Sequence, residues 1–249
     1  MSDYIININN ASVRFNKASE NITGLKEYII KLVKDELMFQ EFFALKNINF
    51  KVKRGESWGL IGNNGSGKST LLKLISGILK PYQGTVTISG QISPLIELGA
   101  GFDPELTARE NIYLNGALLG YSKKFIHSNF NKIVDFAELQ DFLDIPIKNF
   151  SSGMSARLGF AIATVEKPDI LIVDEVLAVG DIGFQQKCKA KMEELLSGGT
   201  TLLFVSHSIE QVKELCQYAI WLDKGEIKSM GNISEVSSAY LSSIQILVK

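Results

Sequence analysis

Cysteine is scarce: Cys188 and Cys216 are the two in 249 residues. They fit no C-x-x-C spacing and are too few for a secreted disulfide scaffold, so both are expected to be reduced thiols in a cytosolic protein. Long apolar runs are missing as well. The longest, Ile170 to Val173, Leu202 to Val205 and Ile244 to Val248 with Gln245 inside, fall far short of the ~20 residues that cross a bilayer. Any membrane role must therefore be borrowed from a partner. The opening MSDYIININN has neither the basic start nor the apolar stretch of an export signal, and the chain is expected to stay inside the cell. No charge of one sign prevails: 26 Lys+Arg face 27 Asp+Glu, a net charge of -1. No global positive field is then available to hold nucleic acid, and none is expected as a partner. There is no internal repeat, no low-complexity tract and no sustained heptad pattern.

What is present is a globular composition, 45% hydrophobic and 21% charged, able to bury a large core. Apolar bursts bounded by turn residues, Ser57 to Ile61, Thr85 to Ile88, Ile170 to Val173, Thr201 to Val205 and Ala219 to Leu222, read as strands, most of them short and buried. Between them lie helical patterns. Leu71, Leu72, Ile75, Ile78 and Leu79 share one face of a helix expected from Ser69 to near Pro81. Thr107-Ala-Arg-Glu110 is a capping box opening a helix that runs to Gly120. This alternation predicts an α/β fold with a mostly parallel sheet covered by helices. From Thr107 to about Thr164 the pattern is helical throughout, as in a helical subdomain inserted into a single domain spanning residues 1–249. Residues 16–43 are too long for a simple connection. Within them Leu25, Tyr28, Ile29, Leu32, Val33 and Leu37 share a helical face, either packed on the domain or lying at a membrane surface or against a membrane subunit to gate a lipid-linked substrate.

Directly after the strand WGLI comes Gly62-Asn63-Asn64-Gly65-Ser66-Gly67-Lys68-Ser69-Thr70, which fits G-x-x-x-x-G-K-[ST]. By chance this pattern arises in roughly one chain in a hundred of this length. The glycines let backbone N–H groups converge on an anion, a helix N-terminus adds its positive end, and Lys68 adds a full charge for the β and γ phosphates. Ser69 is the expected Mg²⁺ ligand.

The strand Ile170 to Val173 runs into Asp174 and Glu175, placing carboxylates at the C-terminal edge of a parallel sheet, where ligands usually bind. Neighbouring strand residues point opposite ways, so the two acids need not share a role. Asp174 is the candidate to hold the Mg²⁺ water shell, and Glu175 the candidate base for the water attacking the γ-phosphate. Two solvated acids would be the plainer reading without the upstream glycine-rich loop. His207 follows another apolar strand and is a candidate contact to the γ-phosphate; His127 sits in a polar helical stretch with no assigned role.

Phe150-Ser151-Ser152-Gly153-Met154, lying between that loop and Asp174, resembles the signature motif of ABC ATPases. The order of loop, signature, Asp-Glu and His is that family's order over nearly the whole chain. Its usual LSGGQ is matched at Ser151 and Gly153 and departed from at Ser152 and Met154. The resemblance implies a P-loop ABC ATPase core with an N-terminal antiparallel β part, ATP and Mg²⁺ as ligands, and a head-to-tail dimer with a second copy. In that dimer the Ser151 to Met154 edge of one copy closes on the ATP of the other. Asp181 then falls in the loop that communicates across the interface, and Phe15 where an aromatic stacks on adenine. The stretches Ile96 to Asn111 and Asp174 to Asp181 narrow the resemblance to ATPase subunits of bacterial exporters of O-antigen, capsular polysaccharide or teichoic acid.

Such a subunit would sit at the cytoplasmic face of the inner membrane, held there by an integral membrane permease, and drive a lipid-linked glycan through it. Most ABC ATPases have a glutamine between loop and signature; this region offers Glu97, or Leu98 when aligned without a gap on Pro104. The coupling role of that segment carries over and the metal contact does not, Glu97 being the one carboxylate the segment offers at that point. The chain stops at Lys249, short of the further C-terminal domain some such exporters carry, so export coupled to synthesis is expected. The competing expectations are a non-transport ABC-type ATPase of translation or DNA maintenance, and an ABC ATPase with another cargo.

Overall fold

The computed structural model describes residues 3–18, 39–95, 101–174, 181–206 and 208–247. Glu97, Leu98, Glu175, His207 and the apolar helical face from Leu25 to Leu37 lie outside these residues.

Two sheets organise the chain. A central six-stranded sheet has the order β5 (Ile92–Leu95), β6 (Ile170–Asp174), β7 (Thr201–Val205), β3 (Ser57–Ile61), β8 (Tyr218–Asp223), β9 (Glu226–Asn232). All neighbours run parallel except the β8–β9 hairpin. A smaller antiparallel sheet has the order β2 (Phe39–Lys53), β1 (Tyr4–Ala18), β4 (Gln83–Ile88). The expected mixed architecture is thus observed.

Side-chain alternation explains why the central strands read as continuous apolar runs. Ile170 and Ile172 of β6, with Leu203 and Val205 of β7, enter a core shared with Ile6, Leu45 and Leu72 of the smaller sheet and helix α1 (Lys68–Ile75). Their neighbours Leu171, Val173, Leu202 and Phe204 enter a second core on the opposite face. Helices α4 (Ser152–Ala163), α5 (Ile182–Ser197), α6 (Ile209–Leu215) and α7 (Ile233–Leu247) supply Phe160, Met192, Val212 and Val236 to that second core. A strand buried on both faces needs apolar residues at every position. A third core, with Ile112, Ile126, Ile133 and Leu158, joins α4 to α2 (Ala108–Leu118) and α3 (Lys123–Ala137).

Two expectations need correction. Helix α1 ends at Ile75 rather than near Pro81. Gly77 takes φ +74°, and Ile78 beyond it is 62% exposed. Residues 16–18 and 39–43, expected within an inserted segment, are strand: β1 and β2 pair through Asn16↔Glu41 to Ala18↔Phe39.

The capping box at Thr107 is formed in full. The Glu110 amide donates to Thr107 Oγ1 at 3.2 Å, and the Thr107 amide and hydroxyl donate to Glu110 Oε2 at 2.9 and 2.7 Å. These bonds, the hydroxyl's first, hold the Glu110 carboxyl below its ordinary value. Thr107→Ala should lower stability by about 1 kcal/mol at neutral pH, read as a lower urea midpoint. A depressed folded pKa contributes stability that is complete above the ordinary glutamate range and is lost as pH falls through the folded value. The deficit of the variant relative to wild type should therefore shrink on acidification below that range.

Candidate functional site

Strand β3 ends at Ile61 in the middle of the sheet, and the chain turns through Gly62 to Gly67 into α1. Gly67, the N-cap, has φ +109°, a conformation side chains rarely adopt. A Cβ there would lie 2.9 Å from the Ala44 carbonyl oxygen and from Leu45 Cδ2, so β2 rests directly on the loop. No side chain caps α1, and its first turn carries no acid. Its leading N–H groups and positive dipole end are left for an anion.

Lys68 is buried, with 8% of its surface exposed, and its Nζ donates to the carbonyls of Gly62 at 2.7 Å and Asn63 at 3.0 Å. Ser66 turns inward, and its carbonyl accepts from the Gly225 amide at 2.9 Å, tying the loop to the β8–β9 turn. From the far end of the chain, the Tyr240 hydroxyl of α7 donates to Asn63 Oδ1 at 3.1 Å.

In front of the loop opens a cleft of about 430 Å³. It is lined by Asn64, Gly65, Gly67, Lys68, Ser69 and Thr70 of the loop and α1, by Asp174 and Val205 at the ends of β6 and β7, and by Phe15, Phe42 and Ala44 of β1 and β2. Asp174 reaches it because β6, β7 and β3 run parallel and all end there; Asp174 is in register with Val205. The hydroxyl of Ser69 and the carboxylate of Asp174 on one cleft are hard oxygen donors suited to a magnesium ion.

The structure brings Phe15, the loop and Asp174 together across stretches of chain far apart in sequence. Ser151 to Met154 are not among the residues lining this cleft. Ser151 and Ser152 are exposed at the start of α4, with the Ser151 hydroxyl accepting from the Met154 amide at 3.2 Å. Asp181 caps α5, accepting from the Phe184 amide at 3.0 Å. That bond, followed by the Arg157 guanidinium, holds its carboxyl below the usual carboxylate range.

Arg157 was not singled out from sequence. It bonds Asp181 and also Glu138, at 3.1 Å, and lies 4.7 Å from the centre of the Phe184 ring, so one side chain ties α4 to the start of α5. Phe42 was missed too, because its place depends on strand register rather than on a local motif. Cys188 and Cys216 are buried away from the cleft, and burial pushes both thiols up to about 12, which leaves them protonated at neutral pH. Among the described residues no helix is long and apolar enough to cross a membrane.

Residues 45–178 match the ABC transporter family. The chain is 41% identical to the O-antigen export system ATP-binding protein RfbB of Klebsiella pneumoniae, over 95% of this chain and 97% of that one. It is 47% identical to the teichoic acids export ATP-binding protein TagH of Listeria innocua, over 81% of this chain and 60% of that one. In fold it is similar to a dimeric ATP-binding cassette in a post-hydrolysis state bound to ADP and Pi, at TM-score 0.72 and 23% identity over 92% of this chain and 98% of that one. With that family matched across 45–178 and a relative 41% identical along nearly the whole of both sequences, the chain belongs to the ABC transporter family.

Proposed function

We propose that this chain is the ATP-hydrolysing motor subunit of an exporter that moves a lipid-linked polysaccharide of the O-antigen, capsule or teichoic acid type through an integral membrane permease. The observation that carries the ATPase part is the cleft at which an uncapped helix N-terminus, Lys68, Ser69, Thr70 and Asp174 converge. The relatives named for O-antigen and teichoic acid export support the cargo class.

The triphosphate lies along the loop. Backbone N–H groups and the α1 dipole hold its β and γ oxygens, and the Lys68 ammonium exchanges loop carbonyls for phosphate oxygens as the anion arrives. Ser69 and Asp174 would hold magnesium, which supplies charge neutralisation across the β and γ phosphates when bound. Glu175, next to Asp174 in sequence, takes the proton of the water that attacks the γ-phosphorus, and the β–γ bridging oxygen leaves with ADP. His207 contacts the γ-phosphate. Phe15 takes the adenine face.

Ser151, Ser152, Gly153 and Met154 act on the ATP of a second copy. Their absence from this chain's own cleft, together with the exposure of Ser151 and Ser152, supports an action in trans. Asp181, held by Arg157, connects that surface to the neighbouring copy. The three-helix core of α2, α3 and α4 is the helical subdomain that meets the permease. Adding lipid-linked glycan to membranes carrying the permease and this chain should raise ATP turnover; identical turnover with and without glycan would overturn the export reading.

Two substitutions test the chemistry. Lys68→Ala removes the buried cation from the phosphate cradle and should abolish tight nucleotide binding in a titration calorimeter. Glu175→Gln should retain ATP binding, slow hydrolysis by ~10² to 10⁴, and accumulate a dimer on size-exclusion chromatography when ATP is present. Undiminished turnover in that variant would exclude Glu175 as the base.

A further inference from the structure

The cleft has one lining residue, Phe42, that the motor reading leaves without a role. Phe42 lines it together with Phe15 and is 56% exposed, a large apolar ring facing water beside a phosphate-binding loop. The two residues come from different strands and are direct partners in the β1–β2 ladder. Directly opposed residues of an antiparallel pair project from the same face of the sheet, which explains why both meet the cleft. Their neighbours project from the other face. There Arg14 lies over the Tyr82 ring at 4.0 Å and pairs with Glu41, and Phe43 meets the same ring edge-on at 6.1 Å. The back of the ladder is thus packed, which fixes how the front presents its two rings.

The anchoring of β2 sets the distance from these rings to the phosphate loop. Ala44, two residues beyond Phe42, lies so close to the loop that its carbonyl oxygen would be 2.9 Å from a Cβ at Gly67 and 2.6 Å from one at Gly225. The Lys46 amide donates to the Gly225 carbonyl at 2.8 Å, and the Gly225 amide to Ser66 at 2.9 Å. Two residues of extended chain span about 7 Å, enough for a sugar between base and phosphates. Phe42 is held to the cradle through its own strand. Phe15 is held beside it by the pairing of β1 with β2.

We infer that Phe42 is a second base-binding residue, forming with Phe15 a two-ring wall against which the purine of the nucleotide packs by its face. The inference rests on the nucleotide reading above and adds a residue and a selectivity to it. Among the described lining residues, the side chains at this end of the cleft, Phe15, Phe42 and Ala44, are apolar; the polar ones belong to the loop, α1 and Asp174. A base held by its face rather than by hydrogen bonds to its edge is recognised as a flat aromatic system, so adenine and guanine should be accepted alike.

Titration calorimetry of the full chain with ATP, GTP and inorganic tripolyphosphate tests this, using wild type, Phe42→Ala and Phe42→Tyr. Losing one aromatic face should weaken ATP and GTP by about tenfold each, while tripolyphosphate, which has no base, binds Phe42→Ala as it binds wild type. Phe42→Tyr should keep wild-type affinity for all three. Unchanged ATP affinity in Phe42→Ala, or an equal loss for ATP and tripolyphosphate, would overturn the assignment. A strong preference of wild type for ATP over GTP would overturn the face-only recognition. Wild-type protein that bound none of the three would instead sink the nucleotide reading itself, a separate outcome.

Discussion

A buried ammonium sets the terms for the rest of this molecule. Burying a charge is costly unless it is satisfied, and Lys68 is satisfied by carbonyls of the loop that α1 presents. The loop that carries those carbonyls is bounded by Gly62 and Gly67, at φ +147° and +109°. The glycines are held in turn by strands pressed against them: a Cβ at Gly62 would lie 2.2 Å from the Leu222 carbonyl oxygen, as one at Gly67 would meet Ala44. The cation, the loop and the two sheets are therefore one structure. Loosening any of them would disturb the carbonyls that satisfy the charge.

The same geometry explains which parts of the molecule are legible in its sequence. Ser57 to Ile61 and Thr201 to Val205 were readable to the residue, because strands buried on both faces have no polar interruption to blur their ends. The glycine-rich loop was readable because its residue types are dictated by backbone conformation. The end of α1 was not: apolar spacing continues through Ile78 and Leu79, while the break is made by Gly77, a single residue inside the pattern. The outer parts of β1 and β2 were missed because Asn16, Lys17, Gln40 and Glu41 are polar, and strands held by pairing with each other leave no apolar pattern to read.

Of the cleft, the residues within a contiguous motif were legible and the pairings between distant segments were not. Asp174 could be placed because a strand leads straight into it. Phe42 and Arg157 could not, since one is defined by register and the other by what α4 meets in space. Arg157 shows how much lies beyond local pattern. It joins Glu138 at the end of α3 to Asp181 at the start of α5, two helices on different cores. These pairs have exposed carboxylates and contribute little to overall stability. They fix an orientation between helices, which is a different service.

The central placement of β3 has a consequence for how the protein comes into being. Its flanking strands, β7 and β8, are both encoded far downstream; the Gln217 amide reaches back 160 residues to Ser57. At bacterial or eukaryotic elongation speeds, roughly 10 to 30 s pass between the ribosome's release of one and the other. For most of that interval the nascent chain carries a finished phosphate-loop sequence on a strand with neither neighbour yet made. The cradle can take its shape only after both of those downstream strands have been added.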